Sequence, residues 1–216
     1  MTTLVRTTTQ FESFAHRFLW EGVRRQLEQA EAKLEGSWYF YLGASLLAYL
    51  TYEAYINYVG QTLAPQIWDR EKEIFSVDPY RGTNGKLKKL CELYKVPFPD
   101  MRKKPFTSIA ELNALRDKIV HPRPLQDVHT VVHASDKLGS PPPHWLSNFL
   151  TAKKAKHLIG NLEAAIEQMH SDFLANVGGH VLWSYPLKGS FSSGTVVTQL
   201  HANPPLKRTR RKRRAG

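Results

Sequence analysis

From residue 10 to residue 35 the chain reads QFESFAHRFLWEGVRRQLEQAEAKLE, with apolar positions recurring at helical spacing. Phe11, Phe14, Phe18, Leu19 and Val23 form a stripe that Leu27, Ala30 and Leu34 continue, which predicts an amphipathic helix. Gly36 breaks the pattern, and Ser37 is placed to cap a second helix that runs to about Leu63 and stops before Pro65. This second segment is apolar almost all round, the pattern of a helix at the centre of a bundle.

Turn chemistry follows in SVDPYRGTNGK (76–86), where Asp-Pro, Arg-Gly and Asn-Gly cluster. KLKKLCELYKV (86–96) predicts a short helix, and PFPDMRKKP (97–105) a loop. Ser108 followed by Glu111 fits a capping box, so the next helix is expected to start near Ile109. It would turn Ile109, Leu112, Leu115 or Arg116, and Ile119 inward, and Pro122 would end it. A proline-interrupted connection (138–149) leads into a long amphipathic helix over 150–179, with Gly178 placed for its C-terminal cap. Residues 181–203 have little helical pattern and suit a hairpin or a docked extended arm. The expected architecture is all-α: a bundle of four to five helices over residues 1–180, an irregular arm over 181–205, and a low-complexity basic tail over 206–216.

Composition and local sequence adjust this picture in four ways. With 42% hydrophobic and 11% aromatic residues, the chain has enough apolar surface for a real core. The single cysteine, Cys91, allows no intramolecular disulfide and no cysteine-based zinc site; it favours a reducing, cytoplasmic setting, and its Leu-rich surroundings suit a core position. The apolar window 37–60 is long enough to raise a membrane span, but Glu53 and Asn57 within it favour a buried helix and no membrane partner. The N-terminal residues lack the apolar segment and cleavage site of a secretory leader.

Charge is uneven. The formal net charge is +11, and the run KRTRRKRR (207–214) holds seven cations: Lys207, Arg208, Arg210, Arg211, Lys212, Arg213 and Arg214. The rest of the chain carries only +4, since 23 Lys and Arg then face 19 Asp and Glu. Such a tail suits a salt-sensitive, sequence-independent nucleic-acid anchor; a solubilising tail or a nuclear-import signal has the same composition.

The segment ALRDKIVHPRP (114–124) carries the most chemistry. Arg116, Asp117 and His121 fall at the end of a predicted helix. Histidine titrates near neutrality and moves protons; arginine stays charged and holds a phosphate through two parallel hydrogen bonds. Asp117 lies four residues before His121 on the same face and can orient its imidazole. Arg116 and His121 would sit about 140° apart on a regular helix, so they converge only if the last turn loosens. On spacing alone, solvated helix-end charges and a histidine favoured by the helix dipole are the stronger reading.

RDKIVH (116–121) resembles the Arg-polar-x-x-x-His motif of the HEPN superfamily, with Asp117 in the polar slot. LTYEAYINYVGQTL (50–63) looks like that family's apolar helix bearing an acid and then an asparagine, here Glu53 and Asn57, and KLKKLCELYKVPF (86–98) like the segment between the two. The likeness spans residues 38–124 and, by pattern, the helix near 150–177. The resemblance implies an all-α HEPN-like bundle acting as a metal-independent endoribonuclease, usually as a homodimer whose two Arg–His motifs face one cleft. It implies that His121 moves the proton of the ribose 2′-hydroxyl or of the departing 5′-oxygen while Arg116 holds the scissile phosphate. Products would be a 2′,3′-cyclic phosphate and a 5′-hydroxyl, with no cofactor or metal. Asp117, Glu53 and Asn57 would support the site, Glu53 and Asn57 reaching one point from one helical turn; a polar pair satisfied inside the bundle is the other reading of these two. The setting implied is a toxin–antitoxin or defence system, with RNA as substrate and an antitoxin or other partner protein. Many relatives are inactive, so a silent HEPN-like scaffold, or a nucleic-acid-binding protein acting through its tail, is the alternative. The aspartate in the polar slot departs from the usual amide or histidine and places a negative charge near the phosphate.

Other motifs are weaker. His129 and His133 have ligand spacing, but no third ligand or catalytic glutamate accompanies them. RGTNGK (81–86) lacks the rest of a phosphate-binding loop and predicts a turn.

Overall fold

The computed structural model describes residues 5–12, 14–32, 35–120, 149–177, 182, 185–188 and 192–199. They fall in two compact units, one comprising Phe14–Gly189 and the other Met1–Ser13 with Ser190–Gly216.

The larger unit is all-α among its described residues. Its helices are α1 (Ala15–Ala32), α2 (Ser37–Leu63), the single turns α3 (Pro65–Trp68) and α4 (Glu71–Ile74), α5 (Gly82–Tyr94), α6 (Thr107–Val120) and α7 (Ala152–Val177). Helix α2 packs against α1, α3, α5, α6 and α7, which accounts for its near-uniform apolarity. Tyr41, Ala44, Ala48, Tyr52, Tyr55, Ile56 and Val59 are buried along it, and α6 contributes Ile109, Leu112 and Leu115. Leu158, Leu162, Ile166 and Phe173 complete the core from α7. Cys91 is buried with them, and burial pushes its thiol up to about 11.

Three local expectations change. Gly36 (φ 74), not Ser37, holds the cap position of α2, and Ser37 is its first residue. Ser108 lies inside the first turn of α6 and accepts a 2.9 Å hydrogen bond from Asn161 of α7, so it ties two helices together and forms no capping box. Residues 82–86, expected as turn, already belong to α5.

Among the described residues, no helix is long and apolar enough to cross a membrane.

The smaller unit corrects the expectation of helix from residue 10. Val5–Glu12 is a strand, β1, paired antiparallel with β2 (Ser192–Gln199), in register from Val5 opposite Gln199 to Glu12 opposite Ser192. Both strands are rich in β-branched residues, Thr7-Thr8-Thr9 on one and Thr195 to Thr198 on the other, and such side chains favour the extended backbone. The arm expected over 181–203 therefore contains a strand whose partner is the N-terminal segment. The rest of that arm beyond Leu182 and 185–188, Gly178, the connection 138–148, His129, His133 and the whole basic tail from Lys207 to Arg214 lie outside the described residues.

Candidate active site

Helix α6 presents Ile109, Ala110, Asn113, Arg116 and Asp117 to the site, since positions three and four apart share a helix face and bring 109, 110, 113, 116 and 117 to one side. Opposite stand Tyr49 and Glu53, one turn apart on α2, and the residues Arg81, Gly82, Thr83 and Asn84 that open α5. Together these three elements enclose an open depression of about 390 Å³ with mainly polar walls.

Both glycines of RGTNGK shape the path of its third wall, though only Gly82 lines it. Gly82 has φ +71, a conformation in which a side chain is strained. At Gly85 an added Cβ would lie 2.0 Å from the Tyr80 carbonyl carbon, so any other residue there would force the backbone to shift. The sharp path turns Arg81 to Asn84 toward α2 and α6, and Tyr52 fixes Asn84 by donating a 2.8 Å hydrogen bond to its Oδ1.

Arg116 sits at the centre. Its Nη2 is 3.2 Å from Glu53 Oε1, and its Nη1 is 2.6 Å from Asp117 Oδ1. Its guanidinium lies over the Tyr49 ring, 5.3 Å from the centroid, in a cation–π contact. These side chains are semi-enclosed, 28% exposed for Arg116 and 24% for Glu53, so the pair is screened less than a surface ion pair. The hydrogen bond to Asp117, followed by the charge of Glu53, holds the Arg116 guanidinium above its usual range.

Glu53 is anchored in turn: Thr83 donates a 3.0 Å hydrogen bond to the same Oε1 that meets Arg116. Asp117 also accepts from Asn113 Nδ2 at 3.3 Å. Tyr49 is buried beneath the site, and burial pushes its hydroxyl up to about 12, helped by the Glu53 carboxylate and opposed by a Thr83 hydrogen bond and by Arg116. At neutral pH it is therefore a neutral hydroxyl.

The expected supporting pair separates. Asn57 accepts hydrogen bonds from Lys86 Nζ at 2.8 Å and Trp68 Nε1 at 3.3 Å, and Lys86 is also paired with Glu71. Asn57 is thus taken up by the α3–α5 side of α2, while Glu53 alone reaches Arg116. His121, the first residue after α6, lies outside the described residues. Among the described residues, no group of three His, Cys, Asp or Glu side chains is placed to hold a metal ion.

Sequence reasoning missed Tyr49, Arg81, Thr83 and Asn113. Tyr49 and Asn113 had a usable signal, each standing four residues before a residue already singled out. Arg81 and Thr83 had none, because their place depends on how α5 packs. The chain matches no protein-family model, no curated protein and no solved structure.

Proposed function

We propose that the chain is a metal-independent endoribonuclease of HEPN type, with Arg116 and His121 as its catalytic residues. The observation that carries this reading is the meeting of Arg116 with Glu53. The RDKIVH arginine and the acid of the apolar helix stand 63 residues apart in sequence, were marked by separate motifs, and form one ion pair on the wall of a polar depression.

In this reading the 2′-hydroxyl of the RNA attacks the adjacent phosphorus and the bond to the 5′-oxygen breaks. His121 moves the proton, and the products are a 2′,3′-cyclic phosphate and a 5′-hydroxyl end. Arg116 stabilises the charge that develops on the phosphate oxygens. Its guanidinium has five N–H donors, of which Glu53 and Asp117 take two, so three remain for a phosphate among the described residues. The Tyr49 ring and the two carboxylates fix the plane of the fork before substrate arrives, which preserves its two-pronged geometry. A homodimer bringing two such sites to one cleft, and a polycationic tail that concentrates RNA nearby, complete the proposal.

A second reading, a catalytically silent scaffold, is favoured by the same carboxylates: Glu53 and Asp117 balance the charge of Arg116 twice over. Cleavage of RNA by Arg116→Ala beside the wild type separates the two. The enzyme reading expects a loss of about 10²- to 10³-fold, the effect of removing one preorganised donor to a developing oxyanion. A folded wild-type protein that leaves every RNA intact supports the scaffold.

A further inference from the structure

Four charged side chains line the depression, and they cancel: Arg81 and Arg116 against Glu53 and Asp117. Arg116 is committed to both carboxylates. Arg81 is exposed on the rim, and among the described residues its guanidinium has no hydrogen-bond or ion-pair partner. Without Arg81 the walls would carry a net −1 and would repel the phosphate that Arg116 is proposed to hold. An RNA strand also presents a phosphate on either side of the one that is cut. A depression of about 390 Å³ is within the range, roughly 300–1,000 Å³, that admits a small ligand such as one nucleotide unit.

We propose that Arg81 forms a second phosphate subsite beside Arg116, gripping the phosphate next to the scissile one in single-stranded RNA. The identity of the ligand rests on the endoribonuclease reading; the subsite itself rests on the guanidinium without a direct partner among the described residues and on the charge balance of the walls. Arg81 is a binding residue here and takes no part in proton transfer. Its position before Gly82 matters, because the φ of +71 at that glycine is part of the turn that opens α5 beside the pocket.

The test uses the full-length protein and a short fluorescein-labelled oligouridine whose 2′-hydroxyls are methylated, so that it binds without being cut. Fluorescence anisotropy is followed across a salt series for the wild type, Arg81→Gln and Arg81→Lys. Arg81→Gln should weaken binding about tenfold, the scale of one charge-assisted hydrogen-bonded contact. The slope of log K against log salt should fall by about 0.7, the value for one phosphate contact on a single strand. Arg81→Lys should restore the slope while recovering only part of the affinity, since it lacks the fork. On cleavable RNA, the Arg81→Gln defect should fall on KM. Wild-type affinity and slope in Arg81→Gln, or no binding by the wild type, overturns the subsite. Arg81-dependent binding by a wild type that cuts no RNA upholds the subsite and overturns the nuclease reading. Cleavage unaffected by Arg81→Gln does the reverse.

Discussion

Arg116 Nη2 and Glu53 Oε1 lie 3.2 Å apart, joining the C-terminal half of α6 to the middle of α2. The same oxygen accepts the Thr83 hydroxyl, so a residue of α5 is drawn into the pair. Three helices thus share one carboxylate, and it sets where the guanidinium points.

Glu53→Gln should leave Arg116 tied to Asp117 but free to swing away from α2. The expected stability loss is small, about 1 kcal/mol, because the pair is partly open to water. RNA cleavage should drop about tenfold through misplacement of the fork. Urea denaturation and cleavage kinetics read the two effects separately. A rise in cleavage would mean that Glu53 acts as an electrostatic barrier to the phosphate.

Arg116→Lys should fail to rescue activity. A lysine has a single point charge and cannot hold Glu53, Asp117 and a phosphate in one plane. Cleavage within about twofold of the wild type would show that charge alone suffices, contrary to the fork geometry.

Gly85→Ala tests the path that brings Arg81 and Thr83 to the site. With the new Cβ 2.0 Å from the Tyr80 carbonyl carbon, the loop must shift, at a cost of about 1–3 kcal/mol. Cleavage should fall with stability. The control is Gly160→Ala on α7, where an added Cβ meets nothing within 4 Å; it should stabilise by about 0.5–1 kcal/mol. Equal melting midpoints for the two variants would contradict the close approach.

His16 supplies a pH dependence away from the site. It is buried on α1 beside the Tyr55 and Tyr58 rings, and its Nε2 has no hydrogen-bond partner among the described residues. Burial, then the Arg17 charge, and with them His170, lower its pKa to about 4, against a backbone hydrogen bond at Pro186 that raises it. The unfolded histidine, at 6.5, takes a proton first, so the unfolded state gains protons as pH falls. Stability should be intact above pH 6.5 and decline by about 3 kcal/mol as pH falls to about 4. Denaturation midpoints of the wild type and His16→Gln across this window should diverge from a common slope; parallel curves would show that His16 does not titrate on unfolding.

What the sequence made legible was local. Pro65 stops α2 where expected, Cys91 falls in the core, and Ile109, Leu112 and Leu115 face inward, each because a few neighbouring residues decide the outcome. The strand Val5–Glu12 was not legible, since Phe11 and Phe14 fit a helical stripe while the pairing partners lie 180 to 194 residues away. Glu53 and Asn57 share a helix face, as their spacing requires, yet Lys86 and Trp68 claim the asparagine. Spacing on one helix says which side chains are neighbours, and the helices packed against it say which of them meet a common target. The role of RGTNGK was hidden for the same reason: its glycines read as a turn, and the value of that turn lies in what it faces.

The most direct measurement incubates purified protein with a mixed RNA pool in EDTA, beside His121→Ala, and maps the product ends. The wild type alone should cut and leave 2′,3′-cyclic phosphates. Equal cutting by both proteins, or wild-type cutting that stops in EDTA, would contradict this.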